Sequence, residues 1–215
     1  MPLDKKLDIV AKIISFLMFP LFMPLYGIVL LFRLEFFSFY PAFYMQGAYL
    51  TIFLLGLLVP VLNLYILWKT KVISDIRVYK KEDRVIPYIC TAISYLFASY
   101  MLYRLAMPLY VVNIGIGVAF STLVAALVSI KWQISAHATG IGGLIAAVVV
   151  ICYWTHTNAP VFVCFLFLCA GVLGAARLWL NRHTPAQLVA GFFNGFLFVI
   201  LFSVLNIGHI FRYTL

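Results

Sequence analysis

Acidic side chains are scarce: Asp and Glu together number 6 in 215 residues, and all charged residues make up 10% of the chain, against about 25% in an ordinary soluble domain. A chain this poor in charge cannot cover an apolar core with polar surface, which excludes a soluble enzyme, a disordered tail or a free nucleic-acid module. Cysteines are few as well. Cys90, Cys152, Cys164 and Cys169 all sit inside apolar runs without paired spacing, so neither a disulfide framework nor a zinc site is indicated. Histidines number 4, and no group of them with the acids has metal-ligand spacing, so no cofactor is expected. Alternating strand patterns, internal repeats, low-complexity segments and domain linkers are also missing, and residues 1–215 read as one domain. What the chain has instead is 66% hydrophobic residues and a mean hydropathy of +1.11.

Those residues fall into runs long enough to cross the hydrocarbon core, which takes about 20 apolar residues as a helix. Seven candidates lie at roughly 9–32, 47–68, 86–103, 108–130, 140–158, 160–180 and 186–208, the third being the shortest. In lipid the backbone must satisfy itself, so runs of this length are helices. The expected fold is therefore all-α, a polytopic bundle of six to seven spans. The start, Met1 to Lys6, has the charge of a secretory leader. The apolar stretch from Ile9 to about Leu31 is too long for one and lacks a small-residue cleavage site, so it reads as a first span kinked by Pro20 and Pro24.

The ends of the runs agree. Trp68, Trp132, Trp154 and Trp179 all fall at span ends, and Phe36 to Tyr44 is crowded with aromatics, as in an interfacial belt. The pair Gly171 and Gly174, and the GxxxG at Gly191 and Gly195, suit close helix packing, while Asn63, Asn113, Asn194 and Asn206 suit hydrogen bonds between helices. His156 and His209 read as satisfied polar span ends. The net charge of +9 is a matter of topology here. Twelve of the 15 Lys and Arg belong to one face, and Arg33, Arg104 and Arg212 to the other. Cytoplasmic loops are rich in Lys and Arg, so the basic face is expected inside, in a cell (inner) membrane, with lipids and no nucleic acid as partners.

Three loops of the basic face hold a coherent set of residue types. The first, DIRVYKKEDRVIP, carries Arg77 and Arg84; taken alone, with Lys80 and Lys81 beside them, these read as topology anchors rather than as ligands. The second, ISAHATG, carries Ser135 and His137. The third, ARLWLNRHTPAQLVAG, carries Arg177, His183 and Gln187. Two spans separate each loop from the next, so all three return to one side. Arginine forks match phosphate oxygens and stabilise charge that builds during phosphoryl transfer. The helix start after Ser135 attracts anions, and its hydroxyl adds a donor. Two histidines suit the two halves of the reaction, one as nucleophile and one as general acid. Pro185 favours a helix start near His183. Gln187 then lies one turn on, where its carbonyl can accept the His183 Nδ1–H and leave Nε2 free.

This constellation resembles the type 2 phosphatidic acid phosphatase superfamily of metal-independent membrane lipid phosphatases, whose motifs are KxxxxxxRP, PSGH and SRxxxxxHxxxD. The resemblance covers residues 77 to about 191, within a core of about 70–208. It implies that His183 forms a phosphohistidine and His137 is the acid, with Arg77, Arg84, Ser135 and Arg177 on the phosphate of a lipid phosphate or lipid diphosphate. Arg77 replaces the motif Lys, Val85 the Pro, Ala136 and Ala176 the small motif residues, and Gln187 the Asp. An amide orients an imidazole where a carboxylate would also stabilise its cation, so Gln187 is the departure with chemical weight. It fits a slower hydrolase, a lipid phosphotransferase with the same site, a catalytically impaired lipid-binding protein, or a site in which Asp75, Glu82 or Asp83 substitutes. A cysteine at Lys80 tests the orientation: in sealed cells it should escape an impermeant maleimide and react after permeabilisation, and labelling of intact cells would reverse the topology.

Overall fold

A computed structural model describes residues 3–33, 41–78, 80–208 and 211. The aromatic run at 36–40, His209 and Arg212 lie outside the described residues. Among those described there are helices and turns and no strand. The helices are α1 (Leu3–Leu17), α2 (Met23–Arg33), α3 (Ala42–Thr51), α4 (Val59–Lys69), α5 (Val85–Arg104), α6 (Leu109–Ser129), α7 (Ala136–Thr155), α8 (Pro160–Trp179) and α9 (Pro185–Leu205). Seven segments are long and apolar enough to cross a membrane, and the chain is a multi-pass membrane protein. The third span is not short. A turn at Glu82–Arg84 precedes α5, and the segment Glu82–Arg104 runs 23 residues.

Proline decides where the first two spans depart from regular helix. The expected kink at Pro20 is a full break: α1 ends at Leu17 and a 3-10 turn, Pro20–Phe22, leads into α2. Pro24 sits in the first turn of α2, where its missing N–H costs no hydrogen bond. In the second span Pro60 cannot donate to the turn before it. The backbone there widens into a π-helical stretch, Ile52–Leu58, between α3 and α4, a known way to absorb such a mismatch.

Three helices form the centre. α7 is buried along most of its length and packs chiefly against α9, which also packs on α6. Glycine permits the approach. A methyl group on Gly191 would stand 2.6 Å from the Ser135 carbonyl oxygen, and one on Gly117 would stand 2.7 Å from Val199 Cα. At Gly195 it would collide with the Thr139 carbonyl, and at Gly142 with that of Phe192. The GxxxG pair is thus the seam between α9 and α7. Gly171 and Gly174 differ from expectation: nothing lies within 4 Å of a methyl group at either, because α8 is at the periphery and turns them outward.

Polar bonds lock the same centre. Asn194 Nδ2 donates to the Ser121 carbonyl at 2.8 Å, Asn113 Nδ2 to Asn206 Oδ1 at 2.7 Å, and the Gly208 N–H to Asn113 Oδ1. These three asparagines join elements as expected; no such bond is seen at Asn63. Trp68, Trp132, Trp154 and Trp179 are exposed at helix ends, and Trp179 Nε1 donates to Asp8 Oδ1, tying α8 to α1. His156 closes α7 in the left-handed region, φ 55°.

The seam makes a stability contrast. Gly195→Ala overpacks a backbone contact, which costs about 1–3 kcal/mol and lowers the thermal unfolding midpoint in detergent. Gly171→Ala leaves the midpoint unchanged or raises it, since alanine favours helix. Equal behaviour of the two variants would show that the seam is not under the compression described.

Candidate functional site

The three loops meet at one end of the bundle, and specific bonds hold them there. Arg84 is buried. Its Nε donates to the Val78 carbonyl at 3.0 Å and its NH1 to the Ile134 carbonyl at 3.2 Å, so it bolts the first loop to the second. Val78 sits at φ 52°, a conformation that is costly for a β-branched residue. The Ser135 N–H donates to the Gln187 carbonyl at 3.3 Å, joining the second loop to the start of α9.

The third loop begins where α8 ends. Asn181 takes the left-handed region, φ 50°, which asparagine tolerates. Thr184 then caps α9, with Pro185 as its first residue and a reciprocal capping box. The Thr184 hydroxyl accepts from the Gln187 N–H at 3.4 Å, and Gln187 Oε1 accepts from the Thr184 N–H at 3.1 Å. The same Oε1 lies 3.2 Å from His183 Nδ1. A backbone N–H can only donate, so the Gln187 atom it meets is the oxygen. His183 Nδ1 must therefore carry the proton, and in the neutral ring the lone pair is on Nε2. The cap of α9 thus fixes the tautomer of His183.

His183 is buried. Burial, then Arg177, then Arg84 push its imidazole down to about 4; the bond to Gln187 and one to the Gln133 backbone carbonyl act in the opposite direction. None of the acids considered as substitutes for a motif carboxylate contacts it. Asp83 accepts from the Ser74 N–H and hydroxyl. Asp75 accepts from the Arg77 N–H and faces Arg77 Nε at 3.9 Å, and Glu82 faces Lys81 at 3.9 Å. The Gln187 amide is the side-chain partner of His183.

A cavity of about 710 Å³ opens beside these groups, and Arg77, Arg84, His137, Arg177 and His183 all line it. Arg77 is largely exposed and pairs with Asp75 at the rim. Arg84 and Arg177 lie close enough to His183 to act on its charge. His137 Nε2 is 3.1 Å from the Ser15 carbonyl, to which it can only donate, so in the neutral ring Nδ1 holds the lone pair. Ser135 is placed otherwise. It is fully buried, its hydroxyl accepts from the Ala138 N–H at 3.4 Å as the cap of α7, and it is not among the residues lining the cavity. The cap uses a lone pair of the hydroxyl that the sequence assigned to phosphate.

Other groups join the site without a motif to announce them. Lys12, Ser15, Tyr88 and Arg182 also line the cavity, and the Tyr88 hydroxyl is hydrogen-bonded to Arg84. Tyr88 follows Arg84 by one helical turn, a spacing that places both on one face. The contribution of α1 has no such signal, because it depends on how α1 packs along α8 and meets α7. Among the described residues no group of three or more His, Cys, Asp or Glu could hold a metal ion. No family model matches the chain, and no curated protein or solved structure matches it either.

The electrostatics predict a titration. The lone pair of His183 is lost only as pH falls through about 4, so the neutral form is complete at pH 7 and still dominant at pH 5. Ring ¹⁵N shifts of labelled histidine, assigned with His183→Gln, should show that midpoint. A midpoint near 6.5, the ordinary histidine value, would mean that the ring is hydrated and remote from Arg177 and Arg84.

Proposed function

We propose that this chain is a membrane phosphatase that hydrolyses a lipid phosphate or lipid diphosphate through a phosphohistidine at His183, with no metal cofactor. One observation carries the reading: a buried imidazole, neutral at pH 7, has its Nδ1–H held by Gln187 and lines a cavity shared with Arg84 and Arg177. The resemblance of the three loops to the type 2 phosphatidic acid phosphatases supplies the same roles.

In this mechanism the phosphoryl group sits among the arginines, which match its oxygens and stabilise the charge shared among them in the transition state. His183 Nε2 attacks phosphorus. The P–O bond to the lipid breaks, its electron pair stays on the lipid oxygen, and that oxygen takes a proton from water, relayed through Nδ1 of His137. Water then attacks the phosphohistidine, gives its proton to His137, and releases phosphate with the electron pair returning to Nε2. Ser135 acts one step removed, by capping α7 and holding the second loop on Gln187. Arg77 meets the headgroup at the rim. We place this basic end at the cytoplasmic face of the membrane on the strength of its Lys and Arg excess.

The test is phosphate release from a panel of lipid phosphates by the purified protein in detergent with EDTA throughout. His183→Ala should lose at least about 10³-fold in kcat, as removal of a nucleophile does elsewhere. Gln187→Leu removes the acceptor on Nδ1 and should cost roughly 10–100-fold, the range for orienting partners of catalytic imidazoles. Gln187→Glu keeps the length, and glutamate is at home at this position of a capping box, where the shorter aspartate would not reach as far. Its charge stabilises the imidazole as it bonds to phosphorus, so the single-turnover rate should rise. Full activity of His183→Ala would end the assignment.

A further inference from the structure

A phosphoryl group needs a small part of the cavity, and the basic residues occupy one end of it. Below them the lining continues along single faces of three helices: Gly140, Leu144, Ala147 and Ile151 on α7, and Tyr95, Ala98 and Leu102 on α5, facing Val111, Ile114 and Val118 of α6. From His137 to Ile151 the rise is ~21 Å at 1.5 Å per residue. Half the hydrocarbon core of a bilayer is ~15 Å, so the cavity runs past the midplane inside the protein.

Its walls are dry in character. The serine and threonine hydroxyls along it bond within their own helices: Thr91 donates to the Pro87 carbonyl, Ser99 to Tyr95, and Ser121 and Thr122 both to Val118, each at 2.8 Å. The far end is lined by Ile28, Leu31, Leu102, Val111 and Ile151, all buried in one apolar cluster. At the opposite end, next to His137, the Ser15 hydroxyl is buried and has no hydrogen-bond partner among the described residues. Cations and an unspent hydroxyl at one end, with an apolar shaft below, are complementary to an anionic amphiphile.

We propose that this shaft takes the hydrocarbon tail of the lipid phosphate end-on inside the bundle, and that Leu102 and Ile151 at its floor set the longest tail accepted. The inference rests on the basic end as the phosphate site. It differs from a lipid lying against the outside of the helices, because an outside surface imposes no length limit. Tails up to the floor bind; a tail that meets Ile151 must displace packed side chains. Overpacking of 1–3 kcal/mol corresponds to a loss of roughly 5–150-fold.

The experiment is native mass spectrometry of the full chain in detergent with n-alkyl phosphonates of increasing length, which cannot be hydrolysed at the P–C bond. Wild type should show a cut-off length. Ala147→Phe, four residues above the floor, should shorten it by ~6 Å of chain. Ile151→Ala should lengthen it, and decides alone if the Phe variant fails to fold. The same cut-off in all variants, or none at any length, overturns the proposal. Hydrolysis of the matching phosphates is measured in parallel. A cut-off that moves in a protein without hydrolase activity keeps the shaft and sinks the catalytic reading; activity without a movable cut-off does the reverse.

Discussion

Contact of α7 and α9 backbone to backbone is the constraint on which the rest of the site depends. Glycine at 142, 191 and 195 removes the side chains that would hold the helices apart. The Ser135 N–H then reaches the Gln187 carbonyl, and the start of α7 is fixed against the start of α9. The placing of Ser135 and His137 against His183 and Gln187 follows from that juxtaposition. In a membrane, where lipid tails offer helices as good an apolar environment as each other, close packing of this kind is a principal source of association.

The basic end is built against its own repulsion. Arg84 is buried yet spends two donors on the carbonyls of Val78 and Ile134, so its charge is solvated by peptide dipoles rather than by a carboxylate. Asp75, Asp83 and Glu82 bond within the first loop and leave the cavity with an excess of positive charge. Burial first, and that excess second, lower the His183 pKa and keep the ring neutral without an acid beside it. Gln187 is compatible with such a site. A neutral amide orients the ring through the same oxygen that caps α9, and does not cancel the field of the arginines.

The departures from the sequence reading are instructive because each is a matter of environment. Pro20 signals an interruption, but whether a helix bends or breaks depends on what the two halves pack against. Here α1 leaves the line of α2 to lie along α8 and brings Ser15 to His137. Gly191 with Gly195 and Gly171 with Gly174 look alike as small-residue pairs, and only burial separates the seam from the lipid-facing helix. Ser135 carries a hydroxyl in a motif loop, and a helix beginning at the next residue claims it as a cap.

The sequence by itself determined the class of molecule: seven apolar runs flanked by tryptophan and by basic loops admit only a helical membrane bundle, because lipid leaves unpaired backbone nowhere to bond. It also brought Arg77, Arg84, His137, Arg177 and His183 to one face, since an even number of spans returns the chain to the same side. Even the His183–Gln187 bond was legible, from one helical turn of spacing after a proline start. Tertiary structure alone decided which of these groups line the cavity, that no carboxylate among the described residues attends His183, and that an apolar shaft lies beneath the basic end. Those facts arise from contacts between residues far apart in the chain, where packing and close backbone approach select among partners that local spacing cannot rank.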